Sequence, residues 1–387
     1  MDTSGRPTPE AVRRLLNGVV DPELGASLVE LGMVQDVQVD GGDVAVTIAL
    51  TIAGCPLKTQ VKRDVEARVG SHPGVTDVSI TWDVLSAEGR TEAMAVARRK
   101  AQDRAPDTAI PATCRVIAIA SGKGGVGKSS VTVNLAAAIA AQGHTVGLLD
   151  ADIGGFSVPR MLGVHQRLEA TDEKRIVPIP KTVGDGQIQV VSMGNLVEDE
   201  ESALMWNGRT LNRAVQHFME DVDWGRLDYL FIDMPPGTGD IQMSLGRMLP
   251  RTEVIIVTTP ALTAQKVATR AVDIARKSSL RVVGAIENMS EFVTPDGDRH
   301  ALFGVGGGDA LAAAAGVPLL ASIPIDGAVA AGGDSGAPIA LGEGPAAEAF
   351  GDLAQLILTE AAPPIAMDGC SARLLDAVSG KYGFIPN

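Results

Sequence analysis

The chain has 387 residues, with 47 acidic against 33 basic side chains, a formal net charge of −14 and 3% aromatic residues. That balance excludes a protein held on nucleic acid by broad phosphate neutralisation, and no uninterrupted apolar run of about 18 residues exists to span a membrane. Three widely spaced cysteines, Cys55, Cys114 and Cys370, do not make a disulfide scaffold. With no basic-then-apolar leader, they fit a reducing cytoplasm and free thiols.

Residues 8–87 read as a small α+β domain. PEAVRRLLNGV opens on Pro9 and sets Val12, Leu15, Leu16 and Val19 at helical spacing. VQDVQVDGGDVAVTIAL alternates on either side of Asp40-Gly41-Gly42-Asp43, the pattern of a hairpin. LKTQVKRDVEARVG predicts a second helix ending at Gly70, and VTDVSITWDV a third strand. The mixed-charge stretch over residues 88–112 reads as a partly helical linker.

From about residue 113 to 362 the pattern changes. The runs RVIAIAS, TVGLLD, IQVVSMG, DYLFIDM, EVIIVTT, RVVGAIENM and LLASIPI alternate with helical segments. Unbroken apolar runs mark strands buried on both faces, and intervening helices imply a doubly wound, mostly parallel α/β sheet. Residues 363–387 lack this periodicity until SARLLDAV and read as an appended tail.

The first of these strands runs into SGKGGVGKSS. Gly122-x-x-x-x-Gly127-Lys128-Ser129 fits the phosphate-loop pattern, with a strand before it and a helix after it. Its segment Gly122, Lys123, Gly124, Gly125, Val126, Gly127, Lys128, Ser129 and Ser130 would bind nucleotide. Small residues let backbone N–H groups turn toward phosphate oxygens at a helix N-terminus. Lys128 would reach the β- and γ-phosphates, and Ser129 would offer its hydroxyl to Mg²⁺.

The surplus Lys123 makes KGGVGKS resemble the deviant phosphate loop of the signal-recognition, MinD and nitrogenase-iron-protein class of ATPases. That resemblance implies a nucleotide-sandwich homodimer in which Lys123 reaches the partner's nucleotide. Four carboxylates follow. Asp150 and Asp152 end the strand in GLLDADIGG, and Asp233 ends the strand in YLFIDMPPGTGD. Strand ends are where ligands gather in open α/β sheets. Asp233 is the candidate Mg²⁺ ligand, Asp150 a helper around Mg²⁺ or its waters, and Asp152, by analogy with the class, the residue that orients the attacking water. Asp240 reads equally as a helix N-cap. Asn288, in AIENMS, offers donor and acceptor edges that suit adenine, or reads as a turn asparagine, and the resemblance to that class implies ATP as the nucleotide.

Taken in order, SGKGGVGKSSVTVNLA, LLDADIGGFSVPRMLG, FIDMPPGTGD, VTTP, IENMS and FGVGGG resemble the Mrp/NBP35 (ApbC) family of P-loop ATPases. DPEL at Asp21, LG at Leu31 and AGCPL around Cys55 resemble the MIP18-like domain fused to its bacterial members. The resemblance implies an ATP-hydrolysing carrier that delivers iron–sulfur clusters, such as [4Fe–4S], to apoproteins or assembly partners, with no nucleic acid or membrane involved. Three positions depart from the family pattern: Phe156 stands for proline, WNGR (Trp206 to Arg209) for WRGP, and Thr294 and Gly297 for the Cys-x-x-Cys pair that binds a bridging cluster. Neither Thr294 nor Gly297 can supply a thiolate. Cys55 and Cys370 are then the remaining thiol candidates, although Cys55 reads more readily as a small buried hydrophobe than as a ligand. Cys114 reads as structural and His300 as a surface histidine. Two other readings stay open: an ATP-gated adaptor without a cluster, and a MinD/ParA-like positioning ATPase. The latter lacks a basic C-terminal helix, since Arg373 and Lys381 face Asp368 and Asp376.

Overall fold

The computed structural model describes residues 7–21, 24–51, 58–104, 108–152, 155–196, 208–237, 240–294 and 296–365. The chain divides into two compact units, Met1–Ala105 and Pro106–Asn387.

In the first unit, α1 (Pro9–Leu16) starts where Thr8 accepts a hydrogen bond from the Ala11 N–H, and it buries Val12 and Leu16. Strands β1 (Val34–Asp40) and β2 (Asp43–Leu50) form the expected hairpin, with Asp40 opposite Asp43 and Gly41 at φ 62° in its turn. Helix α2 (Lys58–Gly70) buries Val61, Val65 and Val69, one per turn, and carries the chain to β3 (Asp77–Val84), which lies parallel to β2. Residues 88–104 differ from the expected linker. They belong to one continuous helix, α3 (Ala87–Arg104), whose Ala93 and Ala97 are fully buried in this unit's core. Two alanines on a heavily charged helix give a weak apolar stripe in sequence, yet they let the helix backbone approach the core closely.

The second unit opens with β4 (Arg115–Ser121), α4 (Lys128–Ala140), β5 (Thr145–Asp150) and α5 (Val158–Leu162). A short hairpin, β6 (Glu169–Ala170) with β7 (Ile176–Val177), precedes β8 (Ile179–Val183) and β9 (Gly186–Ser192). Then come α6 (Gly208–Glu220), β10 (Tyr229–Asp233), α7 (Asp240–Met248), β11 (Glu253–Thr258) and α8 (Leu262–Lys277). The chain closes with β12 (Arg281–Val293), β13 (Arg299–His300), α9 (Gly307–Ala315), β14 (Leu319–Ile325), α10 (Gly327–Ser335) and α11 (Pro345–Leu356). Nine strands make one sheet in the order β13-β12-β11-β4-β10-β5-β9-β8, with β14 also on β12. All its pairings are parallel except β12 with β13 and β8 with β9.

This is the doubly wound α/β sheet expected. Along β4, Val116, Ala118 and Ala120 join the core layer that includes Phe218, Leu245 and Val272, whereas Ile117 and Ile119 join the layer of Leu135, Ile139 and Phe350. Helices therefore cover both faces, which is why the central strands read as unbroken apolar runs. At the far end of the sequence, Tyr229 donates to Ala362 O, and the Arg115 guanidinium donates to Pro363 O at 2.8 and 3.0 Å. Residues 366–387, including Cys370, lie outside the described residues.

Parallel pairing matters most at the strand ends. Asp233 of β10 pairs in register with Asp150 of β5 on one side and with Ile119 of β4 on the other. Two carboxylates and the start of the glycine-rich loop are thus set side by side by sheet register alone.

Candidate active site

The loop over residues 122–127 leaves β4 and enters α4 with Lys128 as its first residue. Gly125 and Gly127 take φ values of 80° and 77°, a region that side chains strain to occupy. Gly122 is packed just as tightly, because a Cβ there would sit 2.3 Å from the Val267 backbone.

Lys128 is 6% exposed, and its Nζ lies 2.7 Å from Asp233 Oδ1 and 3.2 Å from Ser129 Oγ. The Ser129 hydroxyl donates to Asp233 Oδ2 at 2.6 Å. A hydroxyl that the sequence reading missed, Thr132 Oγ1, is 2.8 Å from Asp233 Oδ1 and 2.9 Å from Lys128 O. Its only advance signal was position: one turn beyond Lys128, it shares that face of α4. Asp233 is fully buried, so this set of partners is what makes its burial tolerable.

Asp150 is also fully buried. Burial, and after it the neighbouring Asp233 carboxylate, push its pKa up to about 7, against the opposing pull of Lys128. It accepts from the Ser192 hydroxyl at 3.1 Å and from the backbone N–H groups of Asp152, Ser157 and Val158 at 3.2 to 3.3 Å. Through these contacts the Asp150 carboxylate organises the turn that carries Asp152, beside the Asp233 carboxylate that it was expected to assist around Mg²⁺. Ser192 was the second residue missed, being 42 positions away on β9. Asp152 is half-buried, and burial, reinforced by Asp233, raises its pKa as well.

Asn288 reaches the phosphate loop, where its Nδ2 donates to Val126 O at 2.9 Å. A Cβ on Gly127 would meet that nitrogen at 2.2 Å. One amide N–H of the expected adenine reader is therefore engaged in bracing the loop. Nor does the strand end there. Met289, at φ 57°, sits where the register with β14 shifts, and β12 continues to Val293. Lys123, by contrast, projects exposed from the loop, and its backbone oxygen accepts from Ser121 Oγ at 3.0 Å. Helix α7 begins at Asp240, whose side chain lies outside the described residues.

The oxygen donors Ser129 and Asp233 suit Mg²⁺, which is held by one or two protein oxygens and the phosphates it accompanies. Among the described residues no group of three or more His, Cys, Asp or Glu is arranged to hold a metal ion. Cys55 lies outside the described residues. Cys114 is 1% exposed, and burial pushes its pKa up to about 12 despite the charge of Arg251. It is no thiolate ligand. Thr294 and Gly297 lie in a turn that closes on itself. Thr294 N donates to Asp298 O at 2.9 Å, Gly297 N to Thr294 O at 2.9 Å, and Asp298 N to Thr294 Oγ1 at 3.1 Å. His300 is exposed and pairs with Phe292 across β12 and β13. Phe156 packs on the core, with its ring 2.5 Å from where a Cβ on Gly194 would lie. Trp206 and Asn207 lie outside the described residues, as does the side chain of Arg209.

With this geometry in hand, residues 112–358 match the family profile described as NUBPL iron-transfer P-loop NTPase, and residues 9–82 match that of an iron–sulfur cluster assembly protein. The chain belongs to the iron-transfer P-loop NTPase family. It is 45% identical over 352 residues to the iron–sulfur cluster carrier protein of Mycobacterium leprae, covering 88% of this chain and 89% of that one. It is 42% identical to the carrier protein of Deinococcus radiodurans, covering 86% and 89%. Among solved structures, a nucleotide-binding protein of Archaeoglobus fulgidus in complex with ADP superimposes with a TM-score of 0.53 at 33% identity, covering 65% of this chain and 95% of that one. The chain is accordingly a P-loop ATPase. No helix among the described residues is long and apolar enough to cross a membrane.

Proposed function

We propose that this ATPase is a cytoplasmic iron–sulfur cluster carrier that hydrolyses MgATP as a homodimer and delivers clusters to apoprotein clients. The observation that carries the ATPase half is the buried Lys128, Asp233, Ser129 and Thr132 network at the mouth of the phosphate loop. In the absence of nucleotide, Lys128 neutralises Asp233. Phosphate oxygens entering the loop meet its backbone N–H groups and compete for the Lys128 ammonium. Ser129 and Asp233 are the residues that would hold Mg²⁺, which would neutralise charge on the transferring phosphoryl group. Asp152, on the turn built by Asp150, orients the attacking water. Lys123, exposed on the loop, completes the partner's site, where its charge stabilises the transition state as an arginine finger does. Asn288 braces the loop and leaves its remaining amide edge for adenine.

The cargo half is supported by the family and by the relatives' carrier function. The thiols available to it are Cys55 and Cys370. Anaerobic reconstitution with iron and sulfide, followed by visible absorption, is the test. The expected result is a sulfur-to-iron charge-transfer band that weakens in Cys55→Ala and Cys370→Ala. A colourless reconstituted protein would remove the carrier reading.

One observation favours a second reading, an ATP-gated adaptor that binds clients without metal. Where the family's ligand pair would stand, Thr294, Gly297 and Asp298 are hydrogen-bonded to one another and no thiol is present. ATP turnover in a protein free of iron, with client binding that follows the nucleotide state, would establish it.

A further inference from the structure

A buried polar side chain beside the phosphate loop has no place in the mechanism above. Gln242, on α7, is 5% exposed and lies between Ile241 and Leu245 of the apolar core. Its Nε2 donates to Gly237 O at 3.3 Å, while its Oε1, equally buried, has no hydrogen-bond partner among the described residues. Two other buried oxygens share that condition, with different surroundings. Glu253 is paired with Arg281 at 2.6 Å and Arg115 at 3.5 Å, and Asn195 holds Val164 O and Gln166 O on the far side of β9. Gln242 is the one wired to the nucleotide site.

The wiring can be followed bond by bond. Beyond Asp233, the chain stays on β4: Met234 N donates to Ile119 O at 3.1 Å, and Gly237 N to Ser121 O at 3.0 Å. Ser121 Oγ in turn donates to Lys123 O at 3.0 Å. Pro236 lies against the loop, 3.8 Å from where a Cβ on Gly124 would be. Gly237, at φ 93°, has its N–H on the strand that feeds the phosphate loop and its carbonyl on Gln242. A shift of the turn over residues 234–237 must therefore move Lys123's backbone support, α7, or both. A buried acceptor without a donor is desolvated with nothing in return, and such groups in native folds call for an explanation.

We propose that Gln242 is a positioning residue for ATP hydrolysis. Its amide nitrogen sets the Gly237 turn against the phosphate loop, and its unsatisfied oxygen favours the turn's displacement during the nucleotide cycle. The proposal rests on the ATPase reading of this site. It makes a demand that a packing role does not: removing the amide should leave the fold unharmed or firmer, while slowing turnover.

The test uses the full-length protein and Gln242→Met, which keeps length and volume and removes both polar ends. Thermal unfolding, affinity for a fluorescent ADP analogue and steady-state MgATP hydrolysis are measured together. The expected outcome is an unchanged or higher Tm, ADP affinity and KM within about threefold of wild type, and kcat lower by about tenfold or more. Turnover within about twofold of wild type would overturn the proposal. So would a lower Tm accompanied by lost ADP affinity, since Gln242 would then be holding the fold. Gln242→Leu decides the matter if the Met variant does not fold: it is uncharged, shorter and likewise without the donor to Gly237, and about the same loss of kcat is expected, with normal turnover again overturning the idea. A wild-type protein that hydrolyses no ATP would instead refute the ATPase reading on which this one stands, so the two failures are told apart by the wild-type control.

Discussion

The phosphate loop and the β12–β13 hairpin are opposites in construction. At the loop, four polar side chains are buried or nearly so, and each is bound to Asp233 or to its neighbours. At the hairpin, Glu291 pairs with Arg299 near the surface, Thr294 closes the turn on itself, and no thiol is present. One place holds charge out of water in readiness for a ligand. The other is complete as it stands. On the reading proposed above, the nucleotide residues are gathered at the loop, while Thr294 and Gly297 stand where the family pattern places its cysteine pair.

The comparison breaks first at Lys128. Lys128→Ala should abolish measurable ATP turnover, and it leaves the Asp233 carboxylate buried without its cation, a loss of about 3–5 kcal/mol. Coupled-enzyme ATPase assays and chemical denaturation would show both effects, and a variant of normal stability would mean that the pair is not held in solution as described. Next in size is Lys123→Ala. Because Lys123 is exposed and its contact with Ser121 is made by its backbone oxygen, nucleotide affinity should stay within a few-fold while kcat falls by about tenfold or more. Normal turnover would end the proposed role in the partner's site.

A chemical probe sharpens the contrast in thiols. With its pKa near 12, Cys114 has about one part in ten thousand as thiolate at pH 8, and its burial blocks access. The direction is unambiguous: a raised thiol pKa means less thiolate at any working pH. Iodoacetamide should label Cys114 only after unfolding, as read by peptide mass spectrometry, so rapid native labelling would contradict the packing. The smallest effect belongs to the hairpin. Thr294→Ala removes one hydrogen bond at an exposed turn and should cost at most about 1 kcal/mol, with ATP turnover unchanged. A loss of turnover in that variant would show that the hairpin is coupled to the nucleotide site after all.

Much of the site was legible along the chain because its chemistry is local. A strand, a glycine-rich loop and a helix follow one another, so Lys128 and Ser129 declare themselves, and Asp233 and Asp150 sit at the ends of apolar runs that are recognisably strands. What escaped was contributed by distant segments or by side chains with ordinary local roles. Thr132 looked like any helix residue until β10 brought Asp233 to it across 101 positions. Ser192 acquired its role from the β5–β9 pairing. Asn288 suggested adenine by its amide chemistry, but the close approach of β12 to Gly127 turned one edge of that amide toward the loop. Helix α3 was obscured for another reason: its charged surface masks the two alanines that anchor it.

The sequence by itself determined the sheet class, the phosphate loop and the residue types available for chemistry, because hydrophobic period and glycine placement act over a few residues. It also determined that residues 294 and 297 carry no thiol. Only the tertiary structure decided what each carboxylate is bound to: Asp150 and Asp233 have the same sequence signature and are both buried, yet Lys128, Ser129 and Thr132 meet Asp233 while Ser192 and the backbone of the Asp152 turn meet Asp150. It likewise decided that Gln242 is buried with one end satisfied and one end not, because burial and hydrogen-bond partnership are properties of packed elements that no local stretch of sequence contains.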